Sequence, residues 1–463
     1  MSHVTSHARE RAVTRFVVEL LVFLIGAACI AIAIGANQRW LDRHFLPSFL
    51  WPRHWYTLIE TSVRVGLGAL GAWVVTGART RAGRLARREP ALAVNVAIAV
   101  ALALGASEVA LKYVKIQPAE WLFPEEEPRR QPDARLGWTF VPSRSGHKTI
   151  GGRDITYTFD SHGYRVASLD EQVDPDRPAI LFTGESVMVG EGLTWAESVP
   201  ARVSEALGIQ SANLAVHGYS TDQSYLRLEA DLPRFRKPVA VVALFMTGLF
   251  GRNFDRDRPH LLRGLIWQPA RPRSRLTSLA QVFVPYRSNG AIETNLAITR
   301  EVLTATAALA RAHGALPVIL VPQFGHDDER DQALRHQILD GTGLSYAFVE
   351  IDPSWRIPWD RHPDARAARA MADAVVQAVQ ASWRANRTAA TVRGSMRDAQ
   401  SSMPDHQAYQ RRATAEQQSP RSRLCRPDRP VAGLAPAYWP ADSRLRTLRG
   451  WQRLQVSETP KCW

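Results

Sequence analysis

The sequence predicts an α/β protein: a three-layer α/β/α parallel sheet preceded by N-terminal transmembrane helices. Two observations carry this. From Pro178 onward, short apolar runs alternate with segments of helical periodicity, the pattern of a parallel sheet covered on both faces. Before residue 112 lie apolar runs long enough to cross a bilayer. The expected organisation is a membrane anchor of about three helices over 1–112, a linker and small β element over 113–177, the α/β domain over 178–387, and a basic, disordered tail over 388–463.

Phe16 to Ala36 reads FVVELLVFLIGAACIAIAIGA, with Glu19 as its single charge. At about 1.5 Å per helical residue it spans the hydrocarbon core. Ala91 to Leu111 is a second clear span. Thr57 to Gly77 is weaker because it carries Glu60 and Arg64, four apart and able to pair on one helix face. Arg9, Arg11 and Arg15 precede the first span, and Arg79, Arg81, Arg84, Arg87 and Arg88 crowd the loop before the last. The positive-inside rule holds both in the cytoplasm. Three spans then place everything after residue 112 on the extracytoplasmic side of the inner (plasma) membrane. Without the middle span, the same domain would lie inside.

Residues 116–134 are rich in Pro and charge, a linker by composition. LGWTFVP from Leu136 and DITYTFDSHGYRV from Asp154 alternate as a small β element. Strands are then expected at 178–184, 211–218, 238–246, 315–323 and 346–352. Helices are expected at 198–208, 222–232, 295–314, 328–341 and 364–383. Residues 264–291 form an irregular insertion whose Trp267, Phe283 and Tyr286 suit a lid, a membrane-contacting edge or plain surface packing. A sheet of this kind binds ligands at the carboxyl ends of its strands.

The formal charge of +14 sits at the ends. Residues 1–90 hold 12 basic and 5 acidic side chains, residues 388–463 hold 13 and 6, and 91–387 hold 33 of each. A neutral central region without a recognition motif argues against nucleic-acid binding. The three cysteines (Cys29, Cys425 and Cys462) form no CxxC pair, so neither a disulfide framework nor a cysteine metal site is expected. His326 stands among acids in PQFGHDDER but lacks a second His at ligand spacing, and a helix-capping loop explains it. No phosphate-cradling or dinucleotide fingerprint appears, and no cofactor is expected.

Three strand ends carry chemistry. Gly184-Glu185-Ser186 follows PAILFT, which puts a hydroxyl and an amide at the sheet edge, as a nucleophile requires. Read alone, a helix-capping Ser fits as well. His217-Gly218-Tyr219-Ser220 follows NLAV, where a Gly lets backbone approach a ligand closely; a capped tight turn also fits. Asp360-Arg361-His362 opens the terminal helix and offers a base with an acidic partner, or an exposed loop pair.

Taken together, these blocks resemble the SGNH hydrolase superfamily of GDSL-type esterases and lipases, over about residues 133–384. GESVMVGEGL resembles its first block, with Glu185 where Asp is usual. NLAVHGYSTDQSYL resembles the second and DRHPDARAARAMADAV the last. RLGWTFVP and TFDSHGYRV resemble the β segment that precedes the domain in membrane-anchored bacterial relatives. The resemblance implies a flavodoxin-like sheet, Ser186 as nucleophile, His362 as base, Asp360 as its orienting partner, and the amides of Ser186 and Gly218 in the oxyanion hole. The family's third block, G-x-N-D, is absent. Thr247-Gly248 runs into Leu249 and Phe250, and Asn253 is the nearest substitute for the missing Asn. The last block has one residue between Asp and His where two are commoner. The implied substrates are esters such as O-acylated envelope glycans, with the acyl group removed or transferred. A membrane-bound acyltransferase or export system is the implied partner. A non-catalytic binding module in such an assembly is the alternative.

Overall fold

The computed structural model describes residues 2–36, 53–113, 127–271, 274, 276, 287–324 and 329–401. The chain divides into a unit of residues 1–392 and a second of 393–463, of which the described part is the end of one helix. The expected tail beyond 401, His326, Cys425, Cys462, Phe283 and Tyr286 lie outside the described residues.

Helix α1 (Ser2–Gly35) is followed by α2 (Arg53–Trp73), a π turn (Val74–Ala78), α3 (Arg79–Arg88) and α4 (Pro90–Tyr113). Three segments are long and apolar enough to cross a membrane: Ala12–Gly35, Thr57–Arg88 and Val94–Leu111. The weak middle segment is thus helical throughout and longer than its sequence indicates. Arg64 reaches out of its own helix: its Nε donates to the Ala33 carbonyl of α1 at 3.0 Å. Small residues set the α1–α2 contact, since a Cβ on Gly71 would stand 2.7 Å from the Gly26 carbonyl oxygen.

The part after residue 127 is built on one eight-stranded mixed sheet. Its strands are β3 (Arg144–Ile150), β4 (Arg153–Phe159), β5 (Arg165–Val166), β6 (Ala179–Thr183), β7 (Gln210–Asn213), β8 (Pro238–Leu244), β11 (Leu316–Phe324) and β12 (Tyr346–Ile351). The spatial order is β12-β11-β8-β6-β7-β5-β4-β3. The five strands from β12 to β7 are parallel, and β5, β4 and β3 extend the edge antiparallel. Two short antiparallel pairs stand apart: β1 (Arg130–Asp133) with β2 (Gly137–Phe140), and β9 (His260–Leu262) with β10 (Ile266–Gln268).

The β element expected over 113–177 is therefore not separate. Most of it is the edge of the main sheet, joined through Arg165 opposite Asn213. Beyond β6 come α5 (Ser186–Val189), α6 (Val199–Leu207), α7 (Thr221–Asp231), α8 (Asn289–Ala312), α9 (Glu329–Leu339) and α10 (Ala365–Ser401). The strand alternation sorts side chains to two faces. Ile180, Phe182 and Val242 pack with Val203 of α6 and Val375 of α10. Leu181 and Val241 pack with Leu228 of α7 and Ala310 of α8. Ile319 and Val321 pack with Leu303 of α8 and Ile338 of α9. Helices thus cover both faces, making the three layers.

Numbered along the chain, the parallel strands run 2-1-3-4-5. That is the doubly wound order whose switch point lies between the first and third strands. Here those are β6 and β8, and Ser186 stands just past the carboxyl end of β6.

Candidate active site

Ser186 is the first residue of the one-turn helix α5. Glu185 caps that turn, its Oε1 accepting from the Val187 amide at 3.1 Å. Gly184 lets the chain turn here because a Cβ would stand 2.8 Å from Leu244 Cβ on β8. Arg165, fully buried, donates to the carbonyls of Val189 (2.7 Å), Gly190 (2.8 Å) and Leu193 (2.6 Å). A guanidinium rooted in β5 thereby fixes the Ser186 segment through the carbonyls at its end.

His362 Nε2 lies 2.8 Å from Ser186 Oγ. Its Nδ1 donates to Asp360 Oδ1, and its amide contacts the same oxygen at 3.3 Å. The one-residue spacing succeeds because Trp359 and Arg361 take left-handed backbone angles, φ +67° and +72°. Each such non-glycine residue costs about 1–3 kcal/mol. The surrounding turn holds them: Ile357 N donates to the His362 carbonyl (2.8 Å), and Arg356 Nη1 to the Arg361 carbonyl (2.8 Å). Trp359, at the apex, is fully exposed.

The charges around His362 outweigh its burial. Desolvation lowers its pKa, but the Asp360 hydrogen bond and the charges of Glu191, Asp360 and Glu185 raise it above the ordinary imidazole value. Burial raises the Asp360 pKa, and its bond to His362 more than reverses that, so the carboxyl titrates below its usual range.

Ser186 Oγ has a second neighbour. Glu185 Oε2 lies 2.5 Å away and also accepts from Arg252 Nη1 at 3.0 Å. Against its own desolvation, Arg252, the Ser186 bond and His362 hold the Glu185 carboxyl below its usual pKa. One hydroxyl hydrogen serves two acceptors. When it points to Glu185, His362 must be the imidazolium and donate to Oγ.

Gly218 follows β7 with φ +76°. Neither its amide nor that of Ser186 has a hydrogen-bond partner among the described residues. Its carbonyl accepts from Arg258 Nη1 at 2.5 Å. Trp138 of β2 braces the loop: its Nε1 donates to the His217 carbonyl (2.9 Å), and Tyr219 Oη donates to the Trp138 carbonyl (2.6 Å).

Asn253 does not complete this site. It is buried in a 3₁₀ segment (Thr247–Phe254). Its Nδ2 donates to Thr299 Oγ1 (2.9 Å) and Thr221 Oγ1 (3.2 Å), and its Oδ1 accepts from the Thr221 amide (3.0 Å). With its carboxamide spent on fastening α7 and α8, it has nothing left for an oxyanion. Beside Glu185 the cavity wall is Leu244, Met246 and Leu249, and Arg252 is the residue of that segment that reaches the Ser186 turn, through Glu185.

A second imidazole adjoins the first. His217 and His362 have ring centroids 6.1 Å apart and planes at 77°. His217 Nδ1 lies 3.1 Å from Glu191 Oε2, off the hydrogen-bond axis. Glu191 Oε1 accepts from Lys148 Nζ of β3 at 2.9 Å. Burial would raise the Glu191 pKa, but His217 and Lys148 hold it low. Burial pushes His217 down to about 4 despite Glu191. Among the described residues no group of three or more His, Cys, Asp or Glu is arranged to hold a metal ion.

The structure thus brings Ser186, Asp360 and His362 together, leaves the Gly218 amide open, and takes Asn253 away. Sequence reasoning did not single out Glu191, Lys148, the His217 ring, Arg252 or Arg165. Glu191 and His217 stand inside the blocks read for Ser and Gly, so proximity to those blocks was the available signal. Lys148 and Arg165 reach the site only because the edge strands join the sheet.

No family model matches the chain, and no curated protein matches it. Several solved structures are similar. One is an acetyl xylan esterase from the rumen bacterium Butyrivibrio proteoclasticus, at 11% identity and TM-score 0.29, covering 46% of this chain and 66% of that esterase, just under two thirds. Another, from Desulfitobacterium hafniense, is described as lipolytic and of the G-D-S-L family: 11% identity, TM-score 0.29, 43% of this chain and 98% of that one. A third is a carbohydrate esterase family 2 enzyme with a carbohydrate-binding domain from Corynascus thermopiles, at 15% identity and TM-score 0.27, covering 50% and 71%. Scores this low do not establish a shared fold.

Proposed function

We propose that this protein is a membrane-anchored serine hydrolase of the SGNH type, acting on O-acyl esters at the extracytoplasmic face. The observation that carries the reading is His362 Nε2 at 2.8 Å from Ser186 Oγ, with Asp360 on Nδ1. In this reading Ser186 Oγ attacks the ester carbonyl as His362 takes its proton. The developing oxyanion meets the Ser186 and Gly218 amides. Collapse returns the proton from His362 to the leaving alcohol and leaves an acyl group on Ser186. Two amides without a side-chain carboxamide are a weaker cradle, since one such donor is worth about 10²–10³ in rate.

The three apolar segments and the flanking arginines support the anchored topology. The balance of 33 basic and 33 acidic residues over 91–387 suits a neutral ester or glycan better than a polyanion. The sequence blocks point the same way, to O-acyl groups of envelope polysaccharide.

The test is labelling of the full chain, in detergent micelles, with a fluorophosphonate. The expected result is one adduct on Ser186, lost in Ser186→Ala. Folded wild type that takes no label would overturn the hydrolase. The engaged Asn253 and the Glu185 bond to Ser186 favour one second reading, a non-catalytic module that binds acylated glycans in the same groove. Unlabelled protein that still binds such a glycan would establish it.

A further inference from the structure

The second imidazole, His217, has no part in forming the acyl-enzyme. Its neighbourhood nevertheless resembles that of His362, with a carboxylate near Nδ1 and a ring packed beside that of His362. It is neutral near pH 7 because burial depresses its pKa. A neutral imidazole carries one proton, and the charge of the Glu191 carboxylate, 3.1 Å from Nδ1 though off the hydrogen-bond axis, favours it there. Nε2 then presents a lone pair. That atom has no partner among the described residues, and the side chain is 25% exposed.

Once Ser186 is acylated and the alcohol has left, His362 is neutral too. Its proton sits on Nδ1 against Asp360, and its Nε2 lone pair faces the acylated Oγ. Two rings that each carry an Nε2 lone pair then stand edge-on, their centroids 6.1 Å apart. A water molecule has two hydrogens and can give one to each. An alcohol has one, which His362 must take, so the alcohol leaves His217 unpaired. With the acyl group and an alcohol seated against it, an acceptor left unpaired is costly, and sites built around a hydrogen bond reject ligands that lack it.

We infer that His217 holds the attacking water in deacylation, and that this favours hydrolysis over acyl transfer to an alcohol. The inference rests on the serine-hydrolase reading and deepens it. The step balances without a change at His217. Water oxygen bonds to the acyl carbon, and one water proton passes to His362 Nε2. The bond from that carbon to Ser186 Oγ breaks, and His362 returns the proton to Oγ. His217 keeps its proton on Nδ1 and accepts a hydrogen bond from the other water hydrogen.

The experiment uses the full chain in detergent micelles with p-nitrophenyl acetate and added methanol. Acetate and methyl acetate are measured as products. Wild type should favour water over methanol, mole for mole, by roughly 10-fold or more, the worth of one lost hydrogen bond. His217→Phe should still take the fluorophosphonate on Ser186. Its acetyl-enzyme should accumulate in intact-protein mass spectra, hydrolysis should fall about 10-fold, and the product ratio should shift to methyl acetate. His217→Gln, with an amide oxygen in reach, should fall between. Wild type that prefers methanol overturns the inference, as does a labelled His217→Phe with the wild-type product ratio. If His217→Phe does not fold, the wild-type ratio and His217→Gln decide. Wild type without label would remove the hydrolase and this step with it, an outcome distinct from a labelled enzyme that ignores His217.

Discussion

Two histidines stand side by side, each next to a carboxylate, and their pKa values move in opposite directions. His362 is raised and His217 is pushed down to about 4. Burial lowers both, so the difference lies in the charges. His362 faces Asp360, Glu191 and Glu185, and Asp360 accepts directly from its Nδ1. His217 has Glu191, which it shares with Lys148, and a smaller pull from Glu185, and it is repelled by His362 and Lys148. A carboxylate at contact distance therefore does not by itself make an imidazole a strong base. What counts is how many carboxylates it meets and how well each is aligned. The two rings also titrate as a pair: a proton on one disfavours a proton on the other.

The largest expected effect separates the two carboxylates. Asp360→Asn should lower turnover by about 10⁴-fold, because an amide no longer holds the His362 proton on Nδ1. Glu191→Gln should cost far less, since Glu191 touches only the second ring and acts on His362 through its charge alone. Ester turnover by both variants checks this. Equal losses would mean the two pairs share one task.

Protonation should also distinguish the rings in stability. A histidine whose folded pKa is depressed costs stability as pH falls from its unfolded value of 6.5 toward 4, since the unfolded chain takes up a proton that the folded one refuses. For His217 that window is worth on the order of 2–3 kcal/mol. His362, raised, contributes stability that is fully present below 6.5 and lost as pH rises through its folded value. Thermal melts between pH 7 and pH 5 should therefore fall less for His217→Phe than for wild type. A steeper fall in the variant would contradict the neutral His217.

How far this site was legible in the sequence follows the same division. Ser186, Gly218, Asp360 and His362 all lie just past apolar strands or before a helix, where periodicity breaks locally and visibly. The β6, β8 and β11 runs are apolar because both faces are covered. The second ring's environment was not legible. Lys148 lies 43 residues from Glu191 and meets it through strands joined at Arg165–Val166, a link too short to show a period. Asn253 is the nearest Asn after Gly248 along the chain, but the 3₁₀ path of Thr247–Phe254 carries its amide to Thr299 instead. The same path brings Arg252 to Glu185.

A smaller effect sharpens the first ring's electrostatics. Glu185 is one of the carboxylates that favour imidazolium at His362. Removing its charge lowers the His362 pKa, so the neutral base is available at lower pH. The acid limb of fluorophosphonate labelling should then move to lower pH in Glu185→Gln. An unmoved limb, or one moved upward, would show that Glu185 is insulated from His362 despite sharing Ser186 Oγ with it.

The smallest effect concerns the loop that carries the second ring. Trp138 Nε1 donates to the His217 carbonyl at 2.9 Å, and the residue lies in β2, outside the main sheet. Trp138→Phe keeps an aromatic ring against Tyr219, its edge-on neighbour at 5.7 Å, and removes the donor. The expected cost is about 0.5–1.5 kcal/mol in thermal stability. The Gly218 amide and the His217 ring share that loop, so turnover should fall by a few-fold, with His362 titration unchanged. A variant that loses stability but keeps turnover would show that Gly218 is positioned by its own turn and by Arg258, whose Nη1 holds the Gly218 carbonyl at 2.5 Å. In that case β2 would brace the fold without setting the geometry of the site.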